Sequence, residues 1–211
     1  NGEGMLYYEK KKALINGWRK VWNDEVMPFY FVQLAPYDYN RAMVDGKPAT
    51  SGLPGIWEAQ TATLKIPYTG MAVTTDISNL KDIHPKNKQD VGKRLALWAL
   101  ANTYGKSDLV YSGPLYKSMK VSGDKIELEF NHVGGGLVSR DGKPLSFFTI
   151  AGEDKKFVDA KAVVVGKSII VSAEGVTKPV SVRFGWHEEA EPNLSNKEGL
   201  PASPFRTDDW K

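Results

Sequence analysis

The chain has 211 residues, 41% of them hydrophobic and 25% charged, with 28 Lys and Arg against 25 Asp and Glu and a formal net charge of +3. So even a balance, without a clustered basic stripe, argues against a nucleic-acid partner, and no apolar run approaches the roughly 18 residues that cross a bilayer, which excludes a transmembrane helix and a membrane partner of that kind. The absence of cysteine excludes a disulfide framework, thiolate metal ligands and a thiol nucleophile together, and leaves the compartment open.

No signal peptide opens the chain, and Asn1 is no natural start, so a piece of a longer polypeptide is expected. Between residues 5 and 22, Tyr7, Leu14, Ile15, Trp18, Val21 and Trp22 recur at spacings of three, four and seven. That pattern predicts an amphipathic helix, with Lys10, Lys11 and Lys12 on its solvent face. Residues 27–35 (MPFYFVQLA) form a short aromatic-rich apolar run that suits a buried parallel strand. A helix over 55–64 and a strand over 70–75 (GMAVTT) complete a strand–helix–strand crossover, for which parallel pairing and a right-handed connection are expected. After a loop at 76–86, residues 87–104 place Val91, Leu95 and Trp98 on one helical stripe that stops at Gly105.

Beyond Gly105 the period changes to two. Ile126, Leu128 and Phe130 alternate with Lys125, Glu127 and Glu129 after a Ser122-Gly123-Asp124 turn, which predicts a strand pair. Further strands are expected at 145–150, at 162–165 turning through Gly166-Lys167 into 168–172, and at 179–186. The fold class read from this order is α/β followed by an all-β sandwich-like part, with domains at 1–106 and 107–211. The tail from residue 188 reads as irregular chain anchored by Phe205 and Trp210.

Three histidines can be weighed one by one. His132 shares the parity of Ile126, Leu128 and Phe130 and reads as a structural histidine, while His187, beside Glu188 and Glu189, reads as a solvated strand end. His84 lies in the loop leaving a predicted parallel strand, where α/β folds place ligand sites. In Asp82-Ile83-His84-Pro85 the proline biases His84 towards extended backbone, and residues two apart on an extended segment project to the same side. A carboxylate so placed fixes the imidazole tautomer and leaves Nε2 as a general base towards a hydroxyl nucleophile. The competing reading is an ordinary loop ion pair beside a helix start.

No metal site and no cofactor are implied, because His84 has no histidine at helical spacing and the carboxylates show no calcium-loop pattern. The pairs Glu188/Glu189 and Asp208/Asp209 lie in polar loops and read as solvated. The Gly134-Gly135-Gly136 triplet reads as a tight β bend rather than an anion nest, since it opens no helix.

Together with Asp82–Pro85, six stretches in one order resemble the sialate O-acetylesterase family, a branch of the SGNH/GDSL-type hydrolases: 14–22 (LINGWRKVW), 28–36 (PFYFVQLAP), 82–97 (DIHPKNKQDVGKRLAL), 112–119 (SGPLYKSM), 132–138 (HVGGGLV) and 196–210 (NKEGLPASPFRTDDW). The resemblance spans nearly the whole chain. It implies the C-terminal part of a flavodoxin-like SGNH hydrolase domain followed by a β-domain, in a Ser-His-Asp-type esterase that removes acetyl groups from sugar hydroxyls. On that resemblance His84 is the general base and Asp82 its orienting carboxylate. Asp76, at the end of the strand, is the alternative orienter, because many relatives place the acid three residues before the histidine, where this chain has Lys81.

The family's Gly-Gln-Ser-Asn-type nucleophile segment and its Trp-Tyr-Gln-Gly-Glu segment have no counterpart here, and Ser51, in a loop before Gly52, does not match. The serine is therefore expected upstream, and this chain alone is expected to be inactive. Its partners are then an O-acetylated sugar and the missing N-terminal part of the same enzyme, recruited across a long apolar strand edge. Gln33 is a candidate for contacting substrate or supporting its loop, and Tyr37 and Tyr39 could offer ring faces and hydroxyls to a sugar. O-acetylated sialic acids are the first substrate class and acetylated plant polysaccharide, as for an acetylxylan-type esterase, the second. Sugar esters favour a secreted, periplasmic or lysosomal setting. The reading from a different class is a non-catalytic carbohydrate-binding or interaction fragment.

Overall fold

A computed structural model describes residues 3–39, 43–44, 47–48 and 52–210. The chain divides into two compact units, Asn1–Ser112 with His187–Glu189, and Gly113–Trp186 with Ala190–Lys211.

In the first unit, helix α1 (Leu6–Trp22) buries Lys11, Ile15 and Arg19, a stripe of residues four apart. The guanidinium of Arg19 donates to the carbonyls of Met27 at 3.1 Å and Pro67 at 2.7 Å, tying down the chain ahead of two strands. The lysine run does not share one solvent face, because consecutive helical residues turn by about 100°. Lys10 is exposed and pairs with Glu3 at 2.5 Å, whereas Lys11 is buried with its Nζ 3.0 Å from the centre of the Phe31 ring. Desolvation pushes the Lys11 ammonium down to about 7.

Strand β1 (Phe29–Val32) pairs in parallel with β4 (Thr69–Ala72), Phe29 standing opposite Thr69. Between them lie an antiparallel pair of two-residue strands, β2 (Met43–Val44) with β3 (Lys47–Pro48), and helix α2 (Leu53–Ala62). Gly70 is required in β4, since a Cβ there would lie 2.6 Å from the Trp98 ring and 2.7 Å from that of Tyr30. Helix α3 (Lys88–Asn102) starts at Asn87, whose side chain accepts the Asp90 N–H at 3.1 Å. It is fastened to β4 by the Trp98 indole, which donates to the Met71 carbonyl at 2.8 Å.

The second edge of β1, where a long apolar edge is expected, is closed at its carboxyl end from within the unit. Gln60 of α2 donates its amide to the Val32 carbonyl at 3.2 Å and accepts the Leu34 N–H at 3.0 Å, and the Trp57 indole donates to the Leu34 carbonyl at 2.7 Å. One side-chain amide thus makes the bonds that a neighbouring strand's peptide would make, and closes the carboxyl end of that edge.

The second unit holds strands β5 (Leu115–Ser122), β6 (Lys125–Asn131), β7 (Leu137–Ser139), β8 (Phe148–Gly152), β9 (Phe157–Asp159), β10 (Lys161–Val165), β11 (Ser168–Ser172), β12 (Pro179–Phe184), β13 (Leu194–Asn196) and β14 (Phe205–Arg206). Two four-stranded antiparallel sheets, ordered β10-β11-β6-β5 and β14-β12-β8-β9, share one core, and β13 pairs with β7. The alternation in β6 turns Ile126, Leu128 and Phe130 inward onto Ile150, Ile169, Val182 and Phe184.

The tail is more ordered than expected, since it contributes β13 and β14. Phe205 stacks on Tyr116 with ring centres 4.7 Å apart, and Trp210 meets Phe157 at 5.5 Å. Asp208 is not solvated: its side chain has no exposed surface and accepts Nε and Nη2 of Arg183 at 2.9 and 2.7 Å. The Gly134–Gly136 bend does hold an anion, though an internal one, the Glu198 carboxylate, which accepts the Gly135 N–H at 2.9 Å. His132 follows β6 with φ +58 and is half-buried, and burial pushes its imidazole pKa down. His187 is exposed. No helix of the described residues is long and apolar enough to cross a membrane.

Candidate functional site

The carboxyl ends of β1 and β4 lead into two loops that are joined backbone to backbone. The Asp38 N–H donates to the Leu80 carbonyl at 3.1 Å, the Gln33 N–H to Ala72 at 2.8 Å, and the Thr74 hydroxyl to the Gln33 carbonyl at 2.9 Å. This is the end of a parallel sheet at which open α/β folds gather ligand groups.

On the second loop Asp82 and His84 come together, by a turn and not by an extended segment. The His84 N–H closes onto Asp82 Oδ1 at 3.0 Å, as in an Asx turn, and Nδ1 of the ring lies 3.4 Å from the same oxygen. The His84 backbone N–H above all, then its ring and the charge of Lys86, hold the Asp82 carboxyl below the usual carboxylate range. The His84 side chain is 83% exposed and that of Asp82 43%. The imidazole is thus backed by a carboxylate at Nδ1, in a ring that is otherwise open.

Asp76 is already engaged. Its two oxygens accept Nη1 and Nη2 of Arg94 at 2.6 Å each, and Nη1 also donates to the Val73 carbonyl at 2.6 Å. With the Arg94 side chain 9% and that of Asp76 11% exposed, the pair clamps the start of the loop to α3. Asp82, not Asp76, is the carboxylate paired with the His84 ring among the described residues. Lys81 is exposed.

Gln33 has no exposed surface, and its amide donates to the Thr61 hydroxyl of α2 at 3.3 Å. Of the two roles open to it, this burial fits support of the loop rather than contact with a substrate. Ser51 and Asn1 lie outside the described residues. Tyr37 and Tyr39 meet edge to face, with ring centres 4.9 Å apart and planes at 82°.

One grouping escaped the sequence reading. Carboxylate oxygens of Asp38, Glu188 and Glu189 lie within 4.8 Å of one another, and Glu188 is buried instead of solvated. Some 150 positions separate Asp38 from the other two, so no spacing rule could have joined them. Such a trio could hold a hard cation, although carboxylates also cluster without one.

No family model matches the chain. The sialate O-acetylesterase of Rattus norvegicus is 36% identical over 133 residues, covering 55% of this chain and 23% of that protein. That of Homo sapiens is 28% identical over 227 aligned residues, covering 95% of this chain and 42% of that protein. Among solved structures, a novel carbohydrate acetylesterase from Xanthomonas citri matches with a TM-score of 0.90 and 42% identity, over 98% of this chain and 47% of that one. The chain spans less than half the length of these relatives. By sequence and by fold, the chain is similar to the sialate O-acetylesterase family.

Proposed function

We propose that this chain is the histidine-bearing part of a carbohydrate O-acetylesterase of the SGNH type, with a flavodoxin-like catalytic domain and a sandwich-like β module. The observation that carries the reading is the Asp82–His84 pair at the carboxyl end of a parallel sheet, with Nδ1 3.4 Å from the carboxylate in a largely exposed ring. Asp82 holds Nδ1–H, and Nε2 takes the proton of a serine hydroxyl supplied by the portion of the enzyme upstream. The serine oxygen attacks the acetyl carbonyl, and the imidazolium returns its proton to the departing sugar oxygen. Water, deprotonated by the same Nε2, then releases acetate from the acyl-enzyme. No cofactor is needed for these steps.

O-acetylated sialic acids are the first substrate class and acetylated plant polysaccharide the second, in a secreted, periplasmic or lysosomal setting. The test is acetate release by the complete enzyme, by its His84→Ala variant and by this chain alone. In the variant kcat is expected to fall by about 10²–10⁴-fold, the usual contribution of a general base, and the chain alone is expected to be inactive. Undiminished activity in His84→Ala would remove the residue from the mechanism. The exposure of His84 favours a second reading, a loop ion pair in a non-catalytic sugar-binding piece, which inactivity of every form would select.

A further inference from the structure

We propose that Tyr37 and Tyr39, on the loop leaving β1, form the platform on which the sugar ring of the substrate lies, a subsite that rests on the esterase reading above. In an edge-to-face pair the ring presenting its edge keeps both faces clear of its partner, and the partner keeps one. Both residues are half-buried, so each leaves part of its surface exposed. The platform is also anchored: the Tyr37 N–H donates to the Glu188 carbonyl at 3.0 Å, the Tyr39 N–H to the Tyr37 carbonyl at 3.0 Å, and the Asp38 N–H between them to Leu80 at 3.1 Å.

That last bond sets the range. Leu80 stands four residues before His84, and four residues of chain reach at most about 14 Å, the scale of one or two pyranose rings. A sugar ester held at the tyrosines is therefore within reach of the loop that carries His84. The chemistry matches as well. A pyranose has a face of C–H groups and a rim of hydroxyls, and tyrosine offers an apolar ring with a polar tip and few torsions to freeze. The acetyl ester of a small alcohol has nothing to place there, so the platform selects the alcohol part of the ester and not the acyl part.

The test uses the complete enzyme and compares kcat/KM on a mono-O-acetylated methyl xyloside and on 9-O-acetyl-N-acetylneuraminic acid with kcat/KM on ethyl acetate. Tyr37→Ala and Tyr39→Ala are expected to lower the sugar-to-ethyl-acetate ratio about tenfold for whichever sugar the platform serves, and phenylalanine at either position to keep most of it. A merely structural role would depress both kinds of ester alike; an unchanged ratio for both sugars overturns the platform and leaves the esterase reading standing. Direct binding separates the two ideas. In the complete protein carrying His84→Ala, saturation-transfer NMR should reach the ring C–H protons of the sugar ester, and alanine at both tyrosines should abolish it. Transfer that survives that double substitution, or no transfer to either sugar, overturns the platform. Tyrosine-dependent transfer without hydrolysis by the unmutated enzyme overturns the esterase reading alone.

Discussion

The two units differ in how far each covers its own apolar surface. In the second, Ile126, Leu128, Ile150, Ile169, Val171, Val182 and Phe184 have no exposed surface, and two sheets close on them from both sides. In the first, α1 leaves Leu14, Trp18, Val21 and Trp22 between 46% and 77% exposed. Leu14, Trp18 and Val21 follow one another at spacings of four and three, beside the stripe that Lys11, Ile15 and Arg19 bury. A parallel sheet is ordinarily covered on both faces and built of more than two strands, and β1 and β4 form a pair. The difference teaches that closure and chemistry are assigned separately here. The unit with the closed core carries none of the candidate residues described above, while the unit carrying Asp82 and His84 has an apolar helical stripe that the described residues leave open.

The sharpest way to break that contrast is Phe184→Ala. Phe184 is fully buried, with ring centres 4.6 Å from Phe148 and 5.6 Å from Phe205. Truncating such a ring costs about 3–5 kcal/mol, read as a lowered denaturant midpoint, and a cost under about 1 kcal/mol would show that the second core is not closed. In the first unit, Arg94→Met is expected to cost about 3 kcal/mol, because it leaves the Asp76 carboxylate buried without its two partners. Replacing both residues, Arg94→Met with Asp76→Leu, should recover much of that loss, since no unpaired charge remains. If the double variant is no better than the single one, the pair holds the loop by more than mutual neutralisation.

A smaller effect depends on pH and belongs to the second unit. The Ser139 hydroxyl, the Asn193 amide and the Lys143 N–H hold the Asp141 carboxyl at about 2. With the folded value below the unfolded value of about 3.9, the contribution is present above pH ~4 and is lost as pH falls towards 2. Asp141→Asn should therefore flatten the acid limb of the unit's stability across that window, and an unaltered limb would show that these bonds do not distinguish the charged form.

What could be read from sequence followed from periodicity. The 3.6-residue pattern marks α1 and α3, and the alternation of β6 fixes which of its faces turns inward. Asp82 and His84 were legible because two positions separate them, although an Asx turn and not extended chain brings them together. The unread parts depend on long-range partners. Strands β7 and β13 have three residues each and lie some 55 positions apart, too short to show a period and too distant for a turn signal. Glu188 and Asp208 look like loop carboxylates until Asp38, Glu189 and Arg183 are set beside them. Lys11 is written between two other lysines, and only the helix wheel and the Phe31 ring make it different from them.

The smallest expected effect sharpens the contrast most. In this chain Trp18→Ser should change stability by no more than about 0.5 kcal/mol, since the indole is 46% exposed and substitutions on such surfaces are usually near neutral. In the longer protein that the esterase proposal calls for, the same substitution should cost about 3 kcal/mol if a further segment covers α1, the range of a large apolar side chain removed from a packed interior. The pair of denaturation curves decides between two accounts of the open stripe. A near-zero cost in both settings makes it ordinary solvent-facing surface, of the kind every soluble helix carries singly. A cost that appears only in the longer protein makes α1 the surface on which the first unit is completed, and places the loop of His84 in a domain whose closure depends on residues beyond this chain.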